Sequence, residues 1–277
     1  MKIFKNNYGV FSIFNNDIEN YSYLEDNKLP QQNILDYITP YILKTVTLID
    51  VGSSAGIRNI YFSKINPSIN IYCFEPRENL FYLLIKNITN NNITNAVTMN
   101  NMLGHGNGII KLPIFDRIQC DHDDLIQTCN GSLINNETSP IHFITLDSLK
   151  LLSCDFIFID LKGYNYIILL GGINTIKKYK PVICFKNDNK CNDIILSNIG
   201  IKKTLNTDSF DLLKKLEYNF TYLDNNYILA IPIKENKEMV PKEKKLSKDI
   251  ISDIDDLTQS KKINSLVNLG YQFITDI

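Results

Sequence analysis

A chain of 277 residues, 44% apolar and with a formal net charge of −1, can bury a large core as one α/β domain with an appendage. Near-neutrality excludes a global basic field for nucleic acid, although a local basic patch stays open. No apolar run is long enough to span a bilayer, and the first residues lack the core of a signal peptide.

Residues 2–4 and 10–14 predict two strands around an Asn-Asn-Tyr-Gly turn. Ile34, Tyr37, Ile38, Tyr41 and Ile42 recur at helical spacing, so residues 31–42 form a helix that Pro40 kinks or ends. Residues 1–45 thus make an N-terminal hairpin-and-helix annex. A β-branched run from Val46 leads through Asp50 into Gly52-Ser53-Ser54-Ala55-Gly56 and then into a stretch that can be helical. In such a strand–turn–helix unit the glycines supply a tight turn and room for a ligand, and the helix start offers unpaired N–H groups. Asp50, Gly52, Ser53, Ser54 and Gly56 are therefore candidate ligand-binding residues. Residues 69–74 form a second strand ending on Glu75, about 25 residues after Asp50, where a carboxylate suits a ribose diol. Residues 77–90 form the next helix.

Residues 96–99 make a short third strand. Asn101 and Met102 just beyond it can touch a base through amide hydrogen bonds and thioether packing, or serve only as a polar strand end. Residues 109–114 form a further strand, and 116–140 show no periodicity, which predicts a long loop of the functional or mobile kind. Residues 155–160, apolar on both faces, form the fourth core strand and end on Asp160. A helix from about 164 to 179 leads to a fifth strand, 181–185, which runs into Lys186. A helix at 210–216 then precedes strands 218–223 and 227–231. This order predicts an α/β, Rossmann-like doubly wound sheet, mostly parallel, with a closing antiparallel hairpin in the class I methyltransferase manner. That domain spans residues 46–233. A charged linker from 234 leads to a helical appendage, 234–277, whose apolar stripes suit docking on the domain, on a partner or on a second copy.

The six cysteines show no C-x-x-C spacing, and Cys73, Cys154 and Cys184 fall within predicted strands. This fits a reducing, cytoplasmic compartment better than a disulfide framework. Cys120, Asp121, His122, Asp123 and Asp124 are adjacent in sequence instead of lying at helical or hairpin spacing, so an acidic loop is expected there and no metal.

Taken together, Ile49–Gly56, Phe74-Glu75-Pro76, Thr145–Leu149, Asp155–Gly163, Leu170-Gly171 and Lys180–Ile183 make the chain resemble the FkbM family of methyltransferases. The resemblance implies S-adenosylmethionine as donor and commonly a hydroxyl as acceptor, on a small molecule or a glycan. It places Asp50, Gly52 and Gly56 at the methionine end and Glu75 at the ribose. The family's I-K-I-D-V-E-G-x-E pattern is changed here, with Phe158 for the lysine and with Lys162 and Asn165 for two carboxylates; Lys186 replaces a frequent Glu. Three functions follow. In an O-methyltransferase, Asp160 orients or deprotonates the acceptor, helped by Lys162 and Lys186. In an RNA ribose 2′-O-methyltransferase, a less favoured reading, Asp160 and Lys186 join Lys28 or Lys44 and Glu217 in a tetrad. In a degenerate module the fold binds without catalysis. If Lys162 or Lys186 is functional, two ammonium groups beside Asp160 favour an anionic acceptor.

Overall fold

The computed structural model describes residues 1–15, 17–113, 138–161, 163–187, 208–224 and 226–233. At residues 18, 19, 110–113, 138 and 139 only the backbone is described. The expectations for Lys162, for the cluster at residues 120–124 and for the appendage at 234–277 lie outside the described residues.

A seven-stranded sheet forms the centre. Its strands are β3 (Thr47–Val51), β4 (Asn70–Phe74), β5 (Ala96–Met99), β9 (Phe156–Ile159), β10 (Val182–Lys186), β11 (Tyr218–Tyr222) and β12 (Tyr227–Pro232), in the spatial order β11-β12-β10-β9-β3-β4-β5. The five strands from β5 to β10 are parallel, and β12 and β11 close the sheet antiparallel. Alternation along each strand feeds two cores. Ile49, Val51, Ile157, Ile159, Ile183 and Phe185 pack against α5 (Asn165–Gly171), α6 (Ile173–Tyr179) and α7 (Ser209–Lys215). Leu48, Ile71, Cys73, Phe156, Phe158 and Cys184 pack on the other face against α2 (Gln32–Ile42), α3 (Ile57–Ile65) and part of α4 (Glu78–Asn90). This is the expected class I doubly wound architecture.

Several elements depart from expectation. The helix expected over 164–179 is two helices, because Gly171 and Gly172 interrupt it and Gly172 N–H bonds the Leu169 carbonyl. Helix α2 runs through Pro40 to Ile42; Pro40 and Asp36, whose carbonyl loses its partner, are both exposed. Residues 18–25 form a helix, α1, capped by the Asp17 side chain. Asn101 and Met102 lie in β6 (Asn101–Leu103), which joins β8 (Thr138–Ile144) and β7 (Gly108–Pro113) in a second sheet.

The N-terminal hairpin, β1 (Lys2–Asn6) and β2 (Gly9–Ile13), is bolted to α4 by amides. Asn87 accepts from Ser12 N–H at 2.6 Å and donates to the Ser12 carbonyl at 2.9 Å. Asn91 does the same for Val10. Buried Phe11 and Ile13 thereby join the core shared with β3 and β4.

Candidate functional site

The strand order reverses between β3 and β9, since the chain leaves β3 toward β4 and returns on its other side. Ligands of open α/β sheets bind beyond the carboxyl ends of the strands at such a switch point. There the turn after β3 takes left-handed backbone at Gly52, Ser54 and Gly56 (φ +81°, +52° and +78°). A Cβ on Gly56 would sit 2.5 Å from Leu84 Cδ1, so the Leu84 side chain of α4 would have to shift to admit one, while the left-handed backbone of the turn itself favours glycine. Gly52 and Ser53 N–H groups bond the Phe74 carbonyl at 2.9 and 3.0 Å, which locks the turn onto the end of β4.

Glu75 is fully buried at that end. Its Oε2 accepts from Ser54 N–H at 2.9 Å. Its Oε1 accepts from Arg77 N–H at 3.0 Å and from Arg77 Nε at 2.9 Å. Asn100, at the end of β5, donates its amide to the carbonyls of Glu75 and Pro76, at 2.8 and 3.1 Å. Thus the residue reaching the Glu75 loop from β5 is Asn100. Asn101 instead directs its amide toward the His142 carbonyl at 3.4 Å, and Met102 packs on the core.

The second half of the site is a buried polar network that the sequence reading did not foresee. Arg58, in the first turn of α3, donates Nε to Asp50 Oδ1 at 2.8 Å and Nη1 to Asp160 Oδ2 at 2.6 Å. Its Nη2 donates to the Gly52 carbonyl, and the guanidinium lies over the Phe158 ring, 4.8 Å from the centroid. Burial alone would lower the Arg58 pKa, but the Asp50 and Asp160 carboxylates more than reverse it, so Arg58 stays charged. Asp50 is completed by Ser53 Oγ at 2.6 Å and Asn59 Nδ2 at 2.8 Å. Asp160 also accepts from Tyr227 OH at 2.6 Å, from Lys186 Nζ at 3.3 Å and from Gln31 Nε2 at 3.3 Å. Burial and then Asp160 push the Tyr227 pKa up, keeping its hydroxyl a neutral donor.

The sequence expectations therefore divide. Asp160 and Lys186 do meet, and Lys186 is buried, not on a solvated rim. Its ammonium faces a carboxylate, and Asp50 and Asp160 together balance Arg58 and Lys186. The expected surplus of positive charge is thus not what Lys186 provides. Lys28 and Glu217 are exposed and pair with Asp26 and Lys180, while Lys44 is exposed on the far end of α2. They do not complete a tetrad with Asp160. Asn165 donates to the Lys186 carbonyl at 2.7 Å, and its buried Oδ1 has no hydrogen-bond partner among the described residues. Of the residues missed, Arg58 stood inside the glycine-turn stretch, where an arginine directly after the turn is a readable signal. Tyr227 and Gln31 carried none.

Among the described residues no cluster of His, Cys, Asp or Glu could hold a metal ion. Among them, too, no helix is long and apolar enough to cross a membrane.

An FkbM methyltransferase from Methylobacillus flagellatus KT is 14% identical over 67% of this chain, with a TM-score of 0.45. The match covers 43% of that protein, so this chain spans less than half its length. A precorrin-6y C5,15-methyltransferase from Geobacter metallireducens GS-15 is 12% identical over 78% of this chain and 96% of its own, with a TM-score of 0.41. A comparison with curated proteins gave no match. The model of the FkbM methyltransferase domain matches residues 50–220, from the carboxylate that opens the glycine turn into β11 and across more than half of the chain. The chain belongs to the FkbM methyltransferase domain family.

Proposed function

We propose that this chain transfers a methyl group from S-adenosylmethionine to an acceptor hydroxyl, on a small molecule or glycan, held beside Asp160. The single observation that carries the reading is the 2.9 Å hydrogen bond from Ser54 N–H to Glu75. It joins the glycine turn to the terminal carboxylate of β4, the pair of features a nucleoside needs.

The residues fit the donor on its nucleoside side. Two backbone N–H groups aim the Glu75 carboxylate, and the third contact comes from a side chain that can exchange for a ribose hydroxyl. Asp50 would act through the turn, since its oxygens already accept from Arg58, Ser53 and Asn59. The donor, when bound, supplies a methyl group on a sulfonium, which needs no further activation. The chain's own task is then to align a nucleophile and exclude water. Asp160 would orient the acceptor hydroxyl by exchanging its 3.3 Å contact with Gln31, a long hydrogen bond from a neutral amide. Lys186 and Arg58 would hold that carboxylate in place.

A second reading has its own observation. Arg58, Gln31, Lys186 and Tyr227 together offer as many donors as a carboxylate has lone-pair sites, so a proton on Asp160 would have to expel one of them. That favours a domain that binds the donor without catalysis. The buried thiols of Cys73, Cys154 and Cys184 suit a reducing, cytoplasmic setting under either reading.

Calorimetric titration with S-adenosylmethionine and S-adenosylhomocysteine tests the common part. Glu75→Ala should weaken binding by about 1–3 kcal/mol, the range for lost charge-assisted hydrogen bonds. Equal affinity in parent and variant would sink the assignment. Transfer of an isotopically labelled methyl group into hydroxyl acceptors then separates catalysis from binding alone.

A further inference from the structure

The loop that presents Glu75 is fixed at nearly every backbone group. Glu75 N–H bonds the Met99 carbonyl at 3.1 Å, and Asn100 holds the carbonyls of Glu75 and Pro76. Arg77 N–H bonds the carboxylate itself, and the Arg77 carbonyl accepts from Phe81 N–H at 2.8 Å, in the first turn of α4. Against this rigid frame, one contact to Glu75 is made by a side chain: Nε of Arg77 at 2.9 Å, with Nη2 at 3.5 Å from the other oxygen. The Arg77 side chain is 16% exposed, so it borders solvent at the site where the backbone is held.

We propose that Arg77 is an affinity-determining residue of the nucleoside site: its guanidinium stands in for the ribose diol on Glu75 and must be displaced when the nucleoside binds. The inference rests on the proposed binding of S-adenosylmethionine. A guanidinium presents two N–H groups to a carboxylate much as a vicinal diol presents two O–H groups, so the two compete for the same oxygens. The backbone donors from Ser54 and Arg77 serve both states and do not discriminate between them. Intrinsic affinity for the ribose is therefore reduced by the strength of an internal ion pair, and removing the guanidinium should release it.

The test is titration of the purified parent chain, Arg77→Met and Arg77→Lys with S-adenosylhomocysteine, alongside its effect on the thermal midpoint. Methionine keeps the apolar stem and lacks the donors. Arg77→Met should bind about tenfold more tightly than the parent, the scale of one charge-assisted hydrogen bond. Arg77→Lys, a single-point donor, should fall between them and decides the matter if the methionine variant does not fold. Adding Glu75→Gln to Arg77→Met should abolish the gain. If the parent binds and neither Arg77 variant binds more tightly, the competition is disproved while donor binding stands. If neither the parent nor any variant binds, the donor reading and this inference fall together.

Discussion

Arg58 is the residue on which the site's electrostatics turn. One guanidinium serves two carboxylates from different strands, and the same cation covers the face of Phe158. The family resemblance expects a lysine where Phe158 stands, so the positive charge at this seam comes from α3 instead of β9. A buried network of this kind is costly to break from one side, because the partner charge remains. Asp160→Asn leaves Arg58 and Lys186 without their shared anion and should cost about 3–5 kcal/mol. Tyr227→Phe removes a single hydroxyl from a ring that still packs near Phe158, at 6.0 Å between centroids. Its cost should be smaller, about 1.5–3 kcal/mol for a hydrogen bond to a charged group. Denaturant unfolding of both variants checks the order; a Tyr227→Phe loss equal to that of Asp160→Asn would show that the hydroxyl, not the charge balance, holds the network.

At the scale of elements, the family motifs Thr145–Leu149 and Leu170-Gly171 turn out to be joints. Asp147 accepts from the N–H groups of Asn174 and Thr175, at 3.1 and 2.7 Å, and so caps α6 from a neighbouring 3-10 turn. Leu146 fills the space over Gly172, where a Cβ would lie 2.7 Å from Leu146 Cδ2. A Cβ on Gly171 would overlap the Gly104 carbonyl oxygen, which is backbone and cannot rotate away. Gly171→Ala should therefore destabilise by at least about 1–3 kcal/mol, the range for overpacking, seen as a lowered thermal midpoint. A neutral result would mean that α5 can slide on the β6–β7 loop. These joints also explain what the sequence disclosed. The core strands, the glycine turn and Glu75 were legible because two-residue alternation, apolar runs and paired glycines are local signals. Strand β8 was not, because Pro140 argues against a strand interior. It is tolerated since β6 pairs only with residues 142–144, leaving Pro140 a neighbour on the β7 side alone. Arg58's role was hidden for a different reason. Its first partner is 8 residues away, but the second is 102 away, and no pattern in sequence links them.

For the whole molecule, acid should be a stress partly through His105, whose pKa burial holds below the usual 6.5. The unfolded chain takes up that proton first as pH falls. Stability from this group is therefore complete above about pH 6.5 and is lost as pH drops from there through the lower folded value. Unfolding measured between about pH 5 and 8 should show this slope, and His105→Gln should flatten it; an unchanged slope in the variant would assign the acid loss to other groups. The same molecule also carries a timetable. A ribosome adding about 5–20 residues per second needs about 5–20 s to travel from Arg58 to Asp160. Through that interval Arg58 can pair with Asp50, yet β3 has no neighbour on the side that β9 will take. The open strand edge and the apolar faces of β3 and β4 are then exposed together, the combination most prone to mispairing. Nascent chains halted between β5 and β9 should accordingly be held by chaperones, and release should follow the synthesis of Asp160.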